Sequence, residues 1–370
     1  MNILIINPIL ATPTSSGLQK LSSIRDTMIY GMCLGFKSLG HHPTLIAAED
    51  YKPDVDEGDY DFPVIFFPTS LRKIFKPTLL PYMPSLTGWL RQHADDFDLI
   101  ISKECFSMPT LQAARTLGDK LIVWQEMASH QRKFFKLPSR FWHNLIARPM
   151  MRKATVVGCS ESARDFISHY LPNIAGKTVE HGIDDTKFFP VALLEKKRQL
   201  ITSSQLIKRK NVASIIRKFA RLAGMPSYSD VRLIIAGDGE QREALQTLAH
   251  ELGIEDRVEF KGFLPREELG RLVASSIAFL VDTLADLNVI SIVEAIAAGT
   301  PVVTNRIPLT ASWIAYNNLG IAKDNWDEDD LAYMIDHAEE YTENCRQIAP
   351  TLSNKASAEA LISLKRHLSR

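Results

Sequence analysis

The chain has 370 residues, enough for two domains at roughly 150 residues each or for one large one, with ample length to bury a core without disulfide staples. Charged residues make up 23% and apolar residues 45%, which excludes a disordered chain, and 43 basic against 43 acidic side chains leave no global field for nucleic acid or membrane, so such a partner needs a local patch. Cys33, Cys105, Cys159 and Cys345 lack the paired spacing of a zinc site or a disulfide framework, so a reducing cytoplasm and no metal are expected.

The opening MNILIINPIL has no basic leader region and soon meets Pro8, Thr12 and Pro13, so it reads as a buried strand, Asn2 to Ile6, rather than a signal segment. Lys20 to Leu39 then reads as a helix closed by Gly40, and Pro43 to Ala47 as a second strand. Further strands are expected at Asp98 to Ser102, Lys120 to Trp124 and Thr155 to Cys159. The charged LLEKKRQ, ending at Gln199, is taken as a linker, which sets a first domain at 1–189 and a second at 190–355, with a helix at about 356–370 packing back on the first. The second half repeats the rhythm. Strands are expected at Leu200 to Ser203, Val231 to Ala236, Val258 to Phe260, Ala278 to Val281 and Pro301 to Thr304. Helices are expected at Asn211 to Ala223, Glu240 to Leu252, Arg266 to Ser275, Ser291 to Ala298 and Asp327 to Glu340. Even the most apolar stretch, 276–299, carries Asp282, Asp286 and Glu294, so no membrane-spanning helix is expected.

Short apolar strands alternating with helices predict α/β architecture: two parallel sheets facing across a cleft, with ligands at the carboxyl ends of the strands. The most informative segment is DLNVISIVEAIAAGTPVVTN, 286–305. A helix beginning at Ile290 or Ser291 offers unpaired N–H groups to an anion, and Glu294, among apolar neighbours, suits a pair of sugar hydroxyls. A plain surface position for Glu294 is the alternative.

Asp286 and Glu294, followed by Ala295, Ala297, Gly299, Pro301, Val302 and Val303, resemble the E-x7-E region of retaining GT-B glycosyltransferases of the family 4 type. EHGIDDTKFFP (180–190), IIAGDGEQREAL and VEFKGFLPREEL are similar to further segments of that family, and the resemblance extends over nearly the whole chain. It implies two Rossmann-like domains and transfer of a sugar from a nucleotide-diphosphate sugar, UDP-linked as first choice, to a glycan or lipid-linked acceptor. It also implies retention at the anomeric carbon and no metal or other cofactor. By the same resemblance Glu294 holds the ribose, Asp286 the transferred sugar, and the backbone at Phe263 and Leu264 the base. Gly17 lies against the donor phosphates, and Gly237 keeps a strand-end loop open, although a lone Gly-x-Gly is often only a turn. In SSQLIKRKN (203–211) Lys210 matches the family's phosphate lysine, while Gln205 stands where an arginine is expected. Lys208 or Arg209 is a candidate to replace that charge.

Gln125 and Glu126 occupy the place of a His-Asp pair in the family, so Glu126 is a candidate base or acceptor-orienting group, or else a structural carboxylate. His130 is a candidate for the missing imidazole or a hydrogen-bonded bystander. No acidic residue occurs between Glu126 and Glu161, while 131–153 interleaves seven Lys and Arg residues with large apolar ones, a composition suited to an anionic membrane surface or to a helix whose aromatics enter the core. A cytoplasmic protein, peripheral on the inner face of the cell membrane and serving bacterial polysaccharide or glycolipid assembly, is the resulting expectation. The rival is a catalytically impaired GT-B subunit acting as a scaffold. A nicotinamide enzyme is disfavoured because no strand leads into G-x-G-x-x-G, and nucleic-acid binding by the balanced charge.

Overall fold

The computed structural model describes residues 1–11, 21, 23–25, 27–55, 57–130, 136–183, 194–286 and 289–368. Gly17, residues 131–135, Leu287 and Asn288 lie outside the described residues. The chain divides into two compact units, Met1–Gly182 with Asn354–Arg370, and Ile183–Ser353.

The first unit is built on β1 (Asn2–Ile6), β2 (His42–Ala48), β3 (Val64–Phe67), β4 (Leu99–Lys103), β5 (Leu121–Gln125) and β6 (Thr155–Gly158), in the order β3-β2-β1-β4-β5-β6. Every pairing is parallel. Parallel strands are covered by helices on both faces, which is why Ile3, Leu4, Ile5 and Ile6 are all buried with no polar alternation between them. The helix Asn354–Leu368 contributes Ala358, Leu361 and Ile362 to this core, and Ser357 donates to the carbonyl of Glu180 (2.7 Å).

The second unit holds β7 (Lys197–Ser203), β8 (Arg232–Ala236), β9 (Val258–Gly262), β10 (Ser276–Val281), β11 (Val302–Thr304) and β12 (Gly320–Ala322), in the order β12-β11-β10-β7-β8-β9, again all parallel. Renumbered from its own first strand, this is the order of the first sheet. Both are doubly wound sheets whose strand order reverses between the first and fourth strands, and ligands bind such sheets at the carboxyl ends flanking that reversal.

Several boundaries differ from expectation. The first helix is Met28–Ser38 and not Lys20 to Leu39, because Thr27 caps it, accepting from the Tyr30 N–H (3.4 Å). The single helix expected from Asp327 breaks at His337 into Glu328–Asp336 and Ala338–Ile348, since His337 leaves helical geometry and its ring stacks on Tyr333. The charged stretch expected to be a linker runs into β7, whose first residues are Lys197, Arg198 and Gln199. β3 and β12 lie outside the expected strands: both are short and sit at sheet edges, and Pro63, just before β3, interrupts the apolar run there because it has no N–H to donate. Among the described residues no helix is long and apolar enough to cross a membrane.

Candidate functional site

In the second unit the chain leaves β7 at the strand-order reversal and makes a tight turn, Lys208–Lys210, ended by Asn211 in the left-handed region (φ 53). Leaving β10, on the other side of the reversal, it reaches Thr283 and Asp286. The two loops are stitched together through the Arg209 carbonyl, which accepts from the Leu284 N–H (2.9 Å) and lies 3.2 Å from the Thr283 hydroxyl. Asn305 holds the second loop from below by donating to the Thr283 carbonyl (2.6 Å).

Asp286 is buried, only 7% exposed, and its carboxylate takes both cations of the turn: Lys210 Nζ lies 2.8 Å from Oδ2, and the Arg209 guanidinium pairs with Oδ1. Thr283 Oγ1 stands 3.0 Å from the same Oδ2 and accepts from the Asp286 N–H (3.1 Å). Burial and the neighbouring Arg209 push the Lys210 ammonium below the usual lysine range. Two cations around one carboxylate leave a net positive charge at the sheet's ligand-binding edge, the electrostatic complement of a diphosphate. Gln205, by contrast, is exposed and supplies no charge; the second cation is Arg209.

Just beyond Asp286 the helix Ile290–Ala297 begins at Val289 with no side-chain cap. Ile292, Ala295 and Ile296 face the core, while Ile290 and Ser291 remain at least partly open at its start. Glu294 lies one turn on from Ile290, half-buried, and burial raises its carboxyl above the ordinary range, with Arg266 acting in the opposite sense. Phe263, at the end of β9, is 87% exposed and Leu264 half-buried. Gly237 links three loops: its N–H donates to the Gly262 carbonyl (2.7 Å), and its missing side chain makes room for the backbone of Ser204. Its role is thus close packing of loops beneath the site.

In the first unit three groups converge at the carboxyl ends of β4 and β5. Lys103 Nζ lies 3.0 Å from His181 Nε2 and 3.3 Å from Glu126 Oε2, and His181 Nε2 stands 3.5 Å from the same oxygen. Trp124 floors the cluster, its ring centroid 4.3 Å from the Lys103 ammonium and its ring packed at a 39° tilt against His181, with its indole N–H tied to the Val179 carbonyl (2.7 Å). His181 and Lys103 hold the Glu126 carboxyl well below the usual range. A carboxylate so stabilised is a weak base near neutrality and suits anchoring a hydroxyl or a cation. His130 is the bystander: it bonds Ser139 (3.0 Å) and Tyr170 (2.8 Å), and the imidazole beside Glu126 is His181.

Sequence alone gives no sign of Glu104 or His181 as site residues, though Lys103, a lysine closing an apolar strand, is a legible signal. Glu104 follows β4 with φ 67, and its Oε1 accepts from the backbone N–H groups of Glu126 (2.8 Å) and Met127 (3.0 Å), while Oε2 is buried without a partner. Burial pushes its carboxyl from 4.5 up to about 7, against the pull of Lys103. Between these two values the unfolded chain has released the proton and the folded chain retains it, so this group lowers stability as pH rises across that window. Glu104→Gln keeps the accepting oxygen and cannot titrate. Urea unfolding should show the variant gaining about 2 kcal/mol on wild type between pH 5 and pH 8. Identical pH slopes in the two proteins would contradict this assignment.

Residues 184–352 match the family described as Glycosyl transferases group 1. The fold of the whole chain is GT-B: it matches sucrose-phosphate synthase from Thermosynechococcus elongatus with TM-score 0.64 and 17% identity, over 99% of this chain and 98% of that one. HepE of Anabaena in complex with UDP matches with TM-score 0.57 and 17% identity, over 100% and 98% of the two chains. Alpha-monoglucosyldiacylglycerol synthase of Streptococcus pneumoniae is 25% identical over 215 residues, 52% of this chain and 48% of that protein. The chain spans about half the length of such curated relatives.

Proposed function

We propose that this protein is a retaining glycosyltransferase of the family 4 type that moves a sugar from a nucleotide-diphosphate sugar, UDP-linked in the first instance, to a glycan or lipid-linked acceptor without a metal ion. The observation that carries this reading is the Arg209–Lys210–Asp286 cluster at the strand-order reversal of the second sheet, followed by an uncapped helix start. As the bond from the anomeric carbon to the diphosphate oxygen breaks, charge develops on that oxygen, and fixed cations with a helix N-terminus stabilise it where other transferases use a divalent ion. The acceptor hydroxyl attacks the same face, and its proton leaves with the departing diphosphate. Glu294 accepts from the ribose hydroxyls, with Ile290, Ser291, Phe263 and Leu264 around the nucleotide. The first unit, through Glu126, Lys103 and His181, receives the acceptor. The likeness to a chain crystallised with UDP and the relative that is a glycolipid synthase support this choice of donor and acceptor. A cytoplasmic enzyme, peripheral on the inner face of the cell membrane and acting in bacterial polysaccharide or glycolipid assembly, fits the same reading.

Calorimetric titration with UDP, GDP and ADP, with and without magnesium, tests it. One nucleotide should bind equally well in either condition, and Glu294→Ala should weaken that nucleotide about 10- to 100-fold, the worth of hydrogen bonds to a charged group. If no nucleotide binds to protein that is demonstrably folded, the scaffold reading replaces this one.

A further inference from the structure

Residues 137–150 form a helix in three stretches: Leu137–Phe141 is α-helical, Trp142–Ala147 is a π-helix, and Arg148–Met150 is α-helical again. Its inner face is fixed. Ser139, Trp142, His143, Ala147 and Met151 are buried, and Trp142 donates from its indole to the Cys105 carbonyl (2.8 Å). The outer face repeats every four residues, pairing a polar, mostly cationic residue with an apolar one: Lys136 with Leu137, Arg140 with Phe141, Asn144 with Leu145, Arg148 with Pro149, and then Arg152. Leu137, Phe141, Leu145 and Met150 are 63%, 58%, 63% and 43% exposed, unusual for side chains of this size.

The π segment explains why the stripe stays on one face. Four residues overshoot an α turn of about 3.6, so a four-residue repeat drifts around an α-helix by about 40° per step. The wider π turn undershoots and rolls the stripe back.

Among the described residues no carboxylate pairs with Lys136, Arg140, Arg148, Arg152 or Lys153, whereas Arg25, Arg164, Arg198, Arg221 and Arg271 all have acidic partners. No acidic residue exists anywhere between Glu126 and Glu161 to neutralise them. Beside the stripe lies a shallow hollow of ≈ 740 Å³ lined by Leu145, Arg148, Arg152, His169 and Tyr170, among others.

We infer that this stripe docks flat on an anionic bilayer, with Leu137, Phe141, Leu145 and Met150 entering the acyl boundary and the arginines beside them engaging lipid phosphates, one of them seated in the hollow at Arg148 and Arg152. Charge complementarity selects an anion, and the apolar partner on each turn selects a lipid surface: a soluble polyanion would use the cations and leave the apolar side chains in water. The inference deepens the membrane part of the proposed function and rests on it only for the idea that the acceptor is lipid-linked.

Flotation of the full chain with vesicles of phosphatidylcholine, with and without phosphatidylglycerol, at low and high salt, tests it. Wild type should float only with the anionic vesicles and be released by salt. Arg148→Gln with Arg152→Gln should lower binding about tenfold or more, at roughly 1 kcal/mol per charge. Phe141→Ser with Leu145→Ser should lower it by a similar factor. All of these side chains are exposed, so the variants should unfold at the same urea concentration as wild type. Loss of binding in the arginine variant alone, with the serine variant unaffected, would overturn the flat docking of the stripe, since the cations by themselves would then account for vesicle binding without entry of the apolar side chains. Failure of wild type to float while it still binds UDP would overturn the docking inference and leave the transferase reading intact; failure of both would overturn both.

Discussion

Gly237→Ala should cost this protein about 3 kcal/mol or more of stability and abolish nucleotide binding with it. The glycine sits at φ 127, outside the range of ordinary L-residues, and a Cβ there would stand 1.9 Å from the Ser204 carbonyl oxygen. The obstacle is backbone on both sides, so no rotamer change relieves it. Nor can the Ser204 loop retreat freely: the Ser204 N–H donates to Ala236 (3.1 Å), Leu206 to Asp238 (2.9 Å) and Gln241 to Leu206 (2.9 Å). Strain at a forbidden φ contributes about 1–3 kcal/mol and overpacking a similar amount. Any relaxation shifts the loop that continues into Lys208–Lys210, which couples the fold to the two cations paired with Asp286. Gly88→Ala is the control, since nothing lies within 4 Å of a Cβ at that helical position, and it should be neutral or slightly stabilising. Chemical unfolding that places Gly237→Ala within about 0.5 kcal/mol of wild type, the scatter of ordinary surface substitutions, would refute this loop geometry.

Substitutions at Lys210 and Asp286 should separate two roles that the ion pair joins. Lys210→Met is expected to weaken UDP about 10- to 100-fold, the worth of a charge-assisted contact to phosphate, with little change in stability because only one of two partners of Asp286 is lost. Asp286→Asn should do the reverse. It leaves Arg209 and Lys210 facing each other without their anion, and costs about 2 kcal/mol, less than the roughly 3–5 of a broken, fully buried pair because Arg209 is nearly half exposed. Its UDP affinity should stay within about threefold of wild type, since the cations remain and an opposing charge is gone. Calorimetry and urea unfolding on the two variants and their combination form a double-mutant cycle. Equal losses of UDP affinity at both positions would show that Asp286 acts on the nucleotide directly and not by orienting the cations.

Much of this was legible in the linear chain because its causes are local. Apolar strands buried on both faces, such as Asn2–Ile6 and Ser276–Val281, carry their own signal, and so do helices with a clear stop such as Val212–Ala223 before Gly224. The acidic pair Asp286 and Glu294 marks the segment that follows β10 at the strand-order reversal. Short edge strands did not show, because a three-residue run such as Gly320–Ala322 is made a strand by its neighbour β11 and not by its own composition.

The identity of the partners lay beyond sequence reading altogether. Nothing in the spacing of 209, 210 and 286 says that one carboxylate takes both cations, and adjacent residues on a turn ordinarily point apart; the tight turn at Lys208–Lys210 brings them together. Likewise His130 is the histidine near Glu126 in the sequence, and only the packing of Trp124 against His181 places the latter beside Glu126. Glu104 was invisible because its raised pKa comes from burial, which depends on what the fold lays over a side chain. The sequence by itself determined the two α/β units, their strand-end loops and the stretch of unopposed cations, since hydrophobic period and composition are properties of neighbouring residues. Tertiary structure alone decided which charges meet, which glycine is irreplaceable and which face of residues 136–153 stays open, because distances and desolvation are set by residues far apart in the chain.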